Sequence, residues 1–145
     1  MNTTFLSVLL TFHLGEGDFD RARKTADLFP DPLRSEEITK NLSHFVEKGK
    51  FVLAERAAKM LGRILTPKEL EQIIEAGITS PMIADGYDNA ASAAALLPEP
   101  QRTQRLIEIL EGFVCRSRRR DSTELAKEIA QLLSEPWKSQ YLEIL

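Results

Sequence analysis

Apolar residues recur along the chain at spacings of three and four, the signature of one buried face of an α-helix, and nowhere alternate for long enough to make a strand. Four stretches share one order of residues: an aromatic or threonine, then alanine, alanine, and an adjacent apolar pair. They are Phe19, Ala22, Ala26, Leu28 and Phe29; Phe51, Ala54, Ala58, Met60 and Leu61; Tyr87, Ala90, Ala94, Leu96 and Leu97; and Thr123, Ala126, Ala130, Leu132 and Leu133. The first alanines, Ala22, Ala54, Ala90 and Ala126, step by 32, 36 and 36 residues. Alanines four apart lie on one helical stripe, and their small side chains let a second helix backbone come close. Gly17, Gly49 and Gly86 before these stretches suit tight turns, and a proline, glycine or serine after each suits a stop.

The segments between them predict partner helices. Ile38, Leu42, Phe45 and Val46 share one face, as do Leu70, Ile73 and Ile74, and Leu106, Ile109, Leu110 and Phe113. Pro32, Pro67 and Pro100 stand at or just before their starts, where a missing N–H costs nothing. Ser35 with Glu36 and Glu37 reads as one helix start, and Thr66 with Glu69 as a capping box. The apolar run from Phe5 to Phe12 reads as the first helix, with its apolar side inward. The expectation is therefore an all-α solenoid of about four helical hairpins in a single domain, 1–145. The hairpins span 1–31, 32–65, 66–99 and 100–136, and a capping helix, 137–145, carries Trp137, Tyr141, Leu142 and Leu145. Residues 77–86 break the pattern and read as an irregular insert, a longer loop or short extra turn.

Gly17, Phe19 and Ala22, with Gly49, Phe51 and Ala54, form a Gly-x-Phe-x-x-Ala signature that resembles the second helix of tetratricopeptide repeats; Sel1-type repeats share this grammar. The family usually places a large residue where Ala26, Ala58, Ala94 and Ala130 stand here, and its first-helix tryptophan has no counterpart. The resemblance implies a right-handed α-α superhelix whose first helices line a concave groove for a partner segment. The polar residues of those helices are Thr4, Ser7 and Thr11; Glu36, Thr39 and Ser43; Gln72 and Glu75; and Glu108 and Glu111. Small or acidic and with no cation among them, they favour a peptide or protein segment carrying lysine or arginine.

Composition narrows the function rather than naming it. The 145 residues are 43% hydrophobic and 28% charged, with a formal net charge of −3, which gives no overall pull towards nucleic acid or an anionic membrane. No apolar run reaches the length of a membrane span. The Phe5–Phe12 stretch lacks the basic flank and small-residue cleavage site of a secretory signal. One cysteine, Cys115, builds no internal disulfide and suits a reducing, cytoplasmic setting. His13 and His44 with that cysteine make a poor metal-ligand set, so no metal or cofactor is expected. There is no glycine-rich phosphate loop, His-Glu-x-x-His or Gly-x-Ser-x-Gly. Glu108 and Glu111, or Glu69, Glu71 and Glu75, read as solvated helix faces rather than an acid–base pair, and no catalytic residue is assigned.

The expectation is a non-enzymatic interaction module, an adaptor or small chaperone. The alternative is an RNA- or other polyanion-binding helical repeat built on Arg116, Arg118, Arg119 and Arg120, with Arg102 and Arg105 nearby in sequence. No aromatic is interleaved with that run to stack a base. The apolar edge from Met1 to Phe12 offers a surface for a homodimer.

Overall fold

The computed structural model describes residues 2–117 and 122–145. Among them are nine α-helices and no strand: α1 (Thr3–Gly15), α2 (Phe19–Ala26), α3 (Leu33–Glu47), α4 (Phe51–Met60), α5 (Pro67–Ile78), α6 (Ile83–Ala94), α7 (Gln101–Arg116), α8 (Ser122–Gln131) and α9 (Trp137–Ile144). Consecutive helices pack as α1 with α2 and α3 with α4 in one part of the chain, and as α5 with α6, α6 with α7, α7 with α8 and α8 with α9 in the other. The helices gather into two compact units, 1–66 and 67–145. The division falls beside the expected boundary between the second and third repeats.

In the first unit, Ala22, Ala26, Ala54, Ala57 and Ala58 are fully buried, so α2 and α4 present backbone-thin faces to their neighbours. Leu6, Leu10 and Leu14 of α1 and Ile38, Leu42, Phe45 and Val46 of α3 are buried, and the two helices are in contact. The Ser7 hydroxyl donates to Glu37 Oε2 at 2.7 Å, tying α1 to α3. The Arg56 guanidinium lies 5.1 Å from the centre of the Phe19 ring, tying α4 to α2. Within this unit α1 meets both α3 and α4, and α2 meets α3.

The ends of α1, α3 and α4 follow from glycine. Gly17, Gly49 and Gly62 have φ of 76°, 70° and 73°, the left-handed region where an L side chain is strained. After α1, the N–H of Gly17 reaches Leu14 O (3.1 Å) and that of Asp18 reaches His13 O (2.9 Å), the paired bonds of a Schellman stop. Gly49 with Lys50 and Gly62 with Arg63 repeat this pairing after α3 and α4.

In the second unit, Leu70, Ile73 and Ile74 of α5, Tyr87, Ala90, Ala91, Ala93 and Ala94 of α6, and Leu106, Ile109, Leu110 and Phe113 of α7 are buried, with Ala126, Ile129 and Ala130 of α8. The Tyr87 and Phe113 rings are 5.5 Å apart. The pair after the second alanine divides its duties: Phe29, Leu97 and Leu133 are buried, whereas Leu28, Leu96 and Leu132 are exposed.

Three expectations are corrected. Residues 77–86 are not an irregular insert: α5 runs to Ile78, four residues connect, and α6 begins at Ile83. Gly86 lies inside α6 rather than in a turn, because it and Gly77 let the two backbones touch. A Cβ on Gly77 would clash with the Gly86 carbonyl oxygen and approach Ala90 Cβ to 3.0 Å. A Cβ on Gly86 would clash with the Gly77 carbonyl oxygen and approach Ser80 Cβ to 2.8 Å. Ser35 does not start α3, which begins at Leu33 after Pro32.

Candidate functional site

The residues expected to line a groove fall in both units. In the first, Thr4 and Thr11 on α1 and Glu36, Thr39 and Ser43 on α3 are exposed, while half-buried Ser7 is engaged with Glu37. In the second, Gln72 and Glu75 on α5 and Glu108 and Glu111 on α7 are exposed.

The second unit gathers its acidic residues around a cation. Glu71 and Glu75, four apart, share a face of α5, and Arg105 and Glu108, three apart, share a face of α7. Arg105 Nε donates to Glu71 Oε2 at 2.8 Å, Nη2 to Glu75 Oε1 at 3.0 Å, and Nη1 to Glu108 Oε2 at 3.1 Å. A planar guanidinium with five donors can serve three carboxylates at once, which an ammonium does less well. Hydrogen bonding to Glu71, chiefly, raises the pKa of Arg105, so its charge is fixed. The expectation that this face holds no cation is therefore corrected. Three carboxylates around one guanidinium still leave a local excess of negative charge.

Glu111, one turn further along α7, accepts from the Tyr141 hydroxyl of α9 at 2.7 Å. That bond raises the pKa of the phenol above its ordinary value. Glu75 and Glu108 are brought together through Arg105, and Glu111 is carried towards α9. The separations are informative: Ser7–Glu37, Glu75–Arg105 and Glu111–Tyr141 are each 30 residues apart, and Glu71–Arg105 are 34. Each of these bonds links one helix to the helix two further along the chain in the same unit. Reading the sequence for opposite charges at that spacing would have found Arg105.

Of the arginine run, only Arg116 lies among the described residues. Arg118, Arg119 and Arg120 lie outside the described residues. Arg116 ends α7, with its guanidinium 5.7 Å from the Tyr87 ring centre and donating to the Ile78 carbonyl at the end of α5. It serves the negative end of another helix, where a cation is favoured. Arg102 pairs with Glu99 at 2.9 Å, and Arg105 sits about 16 Å from Arg116 along the helix axis.

Candidate chemistry elsewhere is sparse. The His13 ring meets Phe12 edge-on at 5.6 Å, and the His44 ring lies 6.2 Å from Phe45. Cys115 is exposed near the end of α7. Among the described residues, no three His, Cys, Asp or Glu side chains are placed to hold a metal ion, and no helix is long and apolar enough to cross a membrane. Comparison with protein-family models, with curated proteins and with solved structures returns no match.

Proposed function

We propose that this chain is a non-enzymatic protein–protein interaction module, an adaptor or small chaperone, that takes a lysine- or arginine-bearing segment on the α5–α7 face. The observation that carries the reading is the gathering of Glu71, Glu75 and Glu108 around the single guanidinium of Arg105. The surface already accommodates one arginine and keeps carboxylate oxygens for another cation. Neighbouring first helices within each unit, and buried alanines at equivalent places in every second helix, support a tetratricopeptide-like solenoid as the framework. The exposed lone Cys115 suits a cytoplasmic setting.

The test uses the full chain and a fluorescently labelled amphipathic peptide carrying lysine and arginine, with an acidic peptide of the same length as control. Anisotropy should rise only with the basic peptide. Replacing Glu75 and Glu108 together by Lys should weaken binding about tenfold or more. Raised salt should weaken it as well. Equal binding of both peptides, or basic-peptide binding unaffected by the double reversal, would refute the reading.

A further inference from the structure

We propose that the outward face of α1 is a self-association surface, on which a second copy of this chain lays its own α1 antiparallel. The inference rests on the first unit alone and is independent of the α5–α7 face.

Helix α1 is apolar on two opposite sides. Leu6, Leu10 and Leu14 point into the core and are essentially inaccessible. At 100° per residue, Phe5, Val8 and Phe12 project from the opposite side, and they are 56%, 66% and 59% exposed. Three large side chains in one stripe are more than scattered surface apolarity.

Charge decides between occupants. The thirteen residues of α1 include no Asp, Glu, Lys or Arg, whereas every other helix carries at least two charged residues. An acidic or basic partner would find no counter-charge on the helix. A lipid surface would find no lysine or arginine on the helix to meet its headgroups. A second α1 brings the same uncharged surface, with no like charges to oppose across the contact and no ion to desolvate.

The pattern also suits a two-fold axis. Thr4-Phe5 recurs as Thr11-Phe12, seven residues or about two turns later. Turning a copy end for end about a point between Val8 and Leu9 sets Phe5 of each helix against Phe12 of the other. Val8 of both copies then lies near the axis, the self-complementarity that a two-fold interface requires. Antiparallel helices also oppose their dipoles favourably.

Sedimentation equilibrium of the full chain, from low micromolar to submillimolar concentration, should show a reversible dimer. Val8→Asp should raise its dissociation constant about a hundredfold, since it buries a carboxylate at the axis. Helicity by circular dichroism should be unchanged. Val52→Asp, at an exposed apolar position of α4, should leave the dimer intact. With Cys115→Ser as background, mild oxidation should link Val8→Cys to itself. A mixture of Phe5→Cys and Phe12→Cys chains should form the mixed disulfide in preference to either self-linked product. A monomer at every concentration, a dimer indifferent to Val8→Asp, or self-linking of Phe5→Cys would overturn the proposal. So would a monomer that instead binds lipid vesicles through Val8.

Discussion

The two units use glycine for opposite purposes. In the first, Gly17, Gly49 and Gly62 sit just past helix ends at positive φ, where their lack of a side chain permits a backbone turn. In the second, Gly77 and Gly86 sit inside α5 and α6, and what matters is the space a Cβ would fill. There α5 is followed instead by Thr79, whose hydroxyl donates to Glu75 O at 2.8 Å. One glycine pattern in the sequence therefore covers two physical requirements, a conformational one and a steric one. They respond differently to the same substitution.

The largest effect should come from Gly86→Ala. The added methyl meets the Gly77 carbonyl on one side and Ser80 Cβ at 2.8 Å on the other, and backbone cannot step aside as a flexible side chain would. We expect a loss of about 3 kcal/mol or more in a urea melt, or failure to fold. Gly77→Ala should behave alike. A stability within experimental error of the parent protein would mean that α5 and α6 do not approach through these glycines, and the contrast between units would dissolve.

That contrast also shows where sequence reading succeeds. Periodic burial was legible: Ile38, Leu42, Phe45 and Val46 are all buried, as are Leu70, Ile73 and Ile74, because a single helix face decides them. The alanine stripes at 22 and 26, 54 and 58, 90 and 94, and 126 and 130 are buried for the same reason. In the sequence Gly86 resembles a turn glycine, because a glycine ahead of an alanine stripe looks the same whether it turns the backbone or admits a neighbour. Leu28 and Phe29 were read as one apolar pair, but adjacent residues are 100° apart on a helix and only Phe29 reaches the core. At the candidate site the acidic residues were legible singly. Their shared cation was not, because Glu71 and Arg105 are 34 residues apart and joined only by the fold, which no local pattern specifies.

The conformational half of the contrast should yield a smaller number. Gly17→Ala meets no atom within 4 Å, so its cost comes only from holding an L residue at φ 76°. That should be about 1–2 kcal/mol. A melt comparing Gly17→Ala with Gly86→Ala separates the two causes. Equal losses would mean that strain at φ and crowding at Cβ are not distinct here.

The finest difference concerns how helices begin. In α1 and α2 the side chain at the N-cap itself does the work: Asn2 Oδ1 accepts from the Thr4 N–H at 2.8 Å, and Asp18 Oδ1 from the Arg21 N–H at 3.1 Å, whereas Pro32 and Lys50 at the N-caps of α3 and α4 make no such bond. In the second unit the N-caps of α7 and α9 are Pro100 and Pro136, which have no side-chain acceptor. The glutamate one residue earlier substitutes. Glu99 accepts from the Thr103 N–H at 3.2 Å and from its hydroxyl at 2.6 Å, and Glu135 treats Ser139 the same way at 3.3 and 2.8 Å. The Thr103 hydroxyl, chiefly, holds the Glu99 carboxyl below its ordinary pKa. A lowered carboxylate pKa contributes stability that is present above the ordinary value and lost as pH falls through the lowered one. Thr103→Val removes the hydroxyl and keeps the shape. The Glu99 side-chain resonance, followed by NMR against pH, should then titrate at a higher pH than in the parent protein. If Glu99 titrates unchanged in Thr103→Val, the glutamate before the proline is not the cap, and the second unit starts α7 by backbone geometry alone.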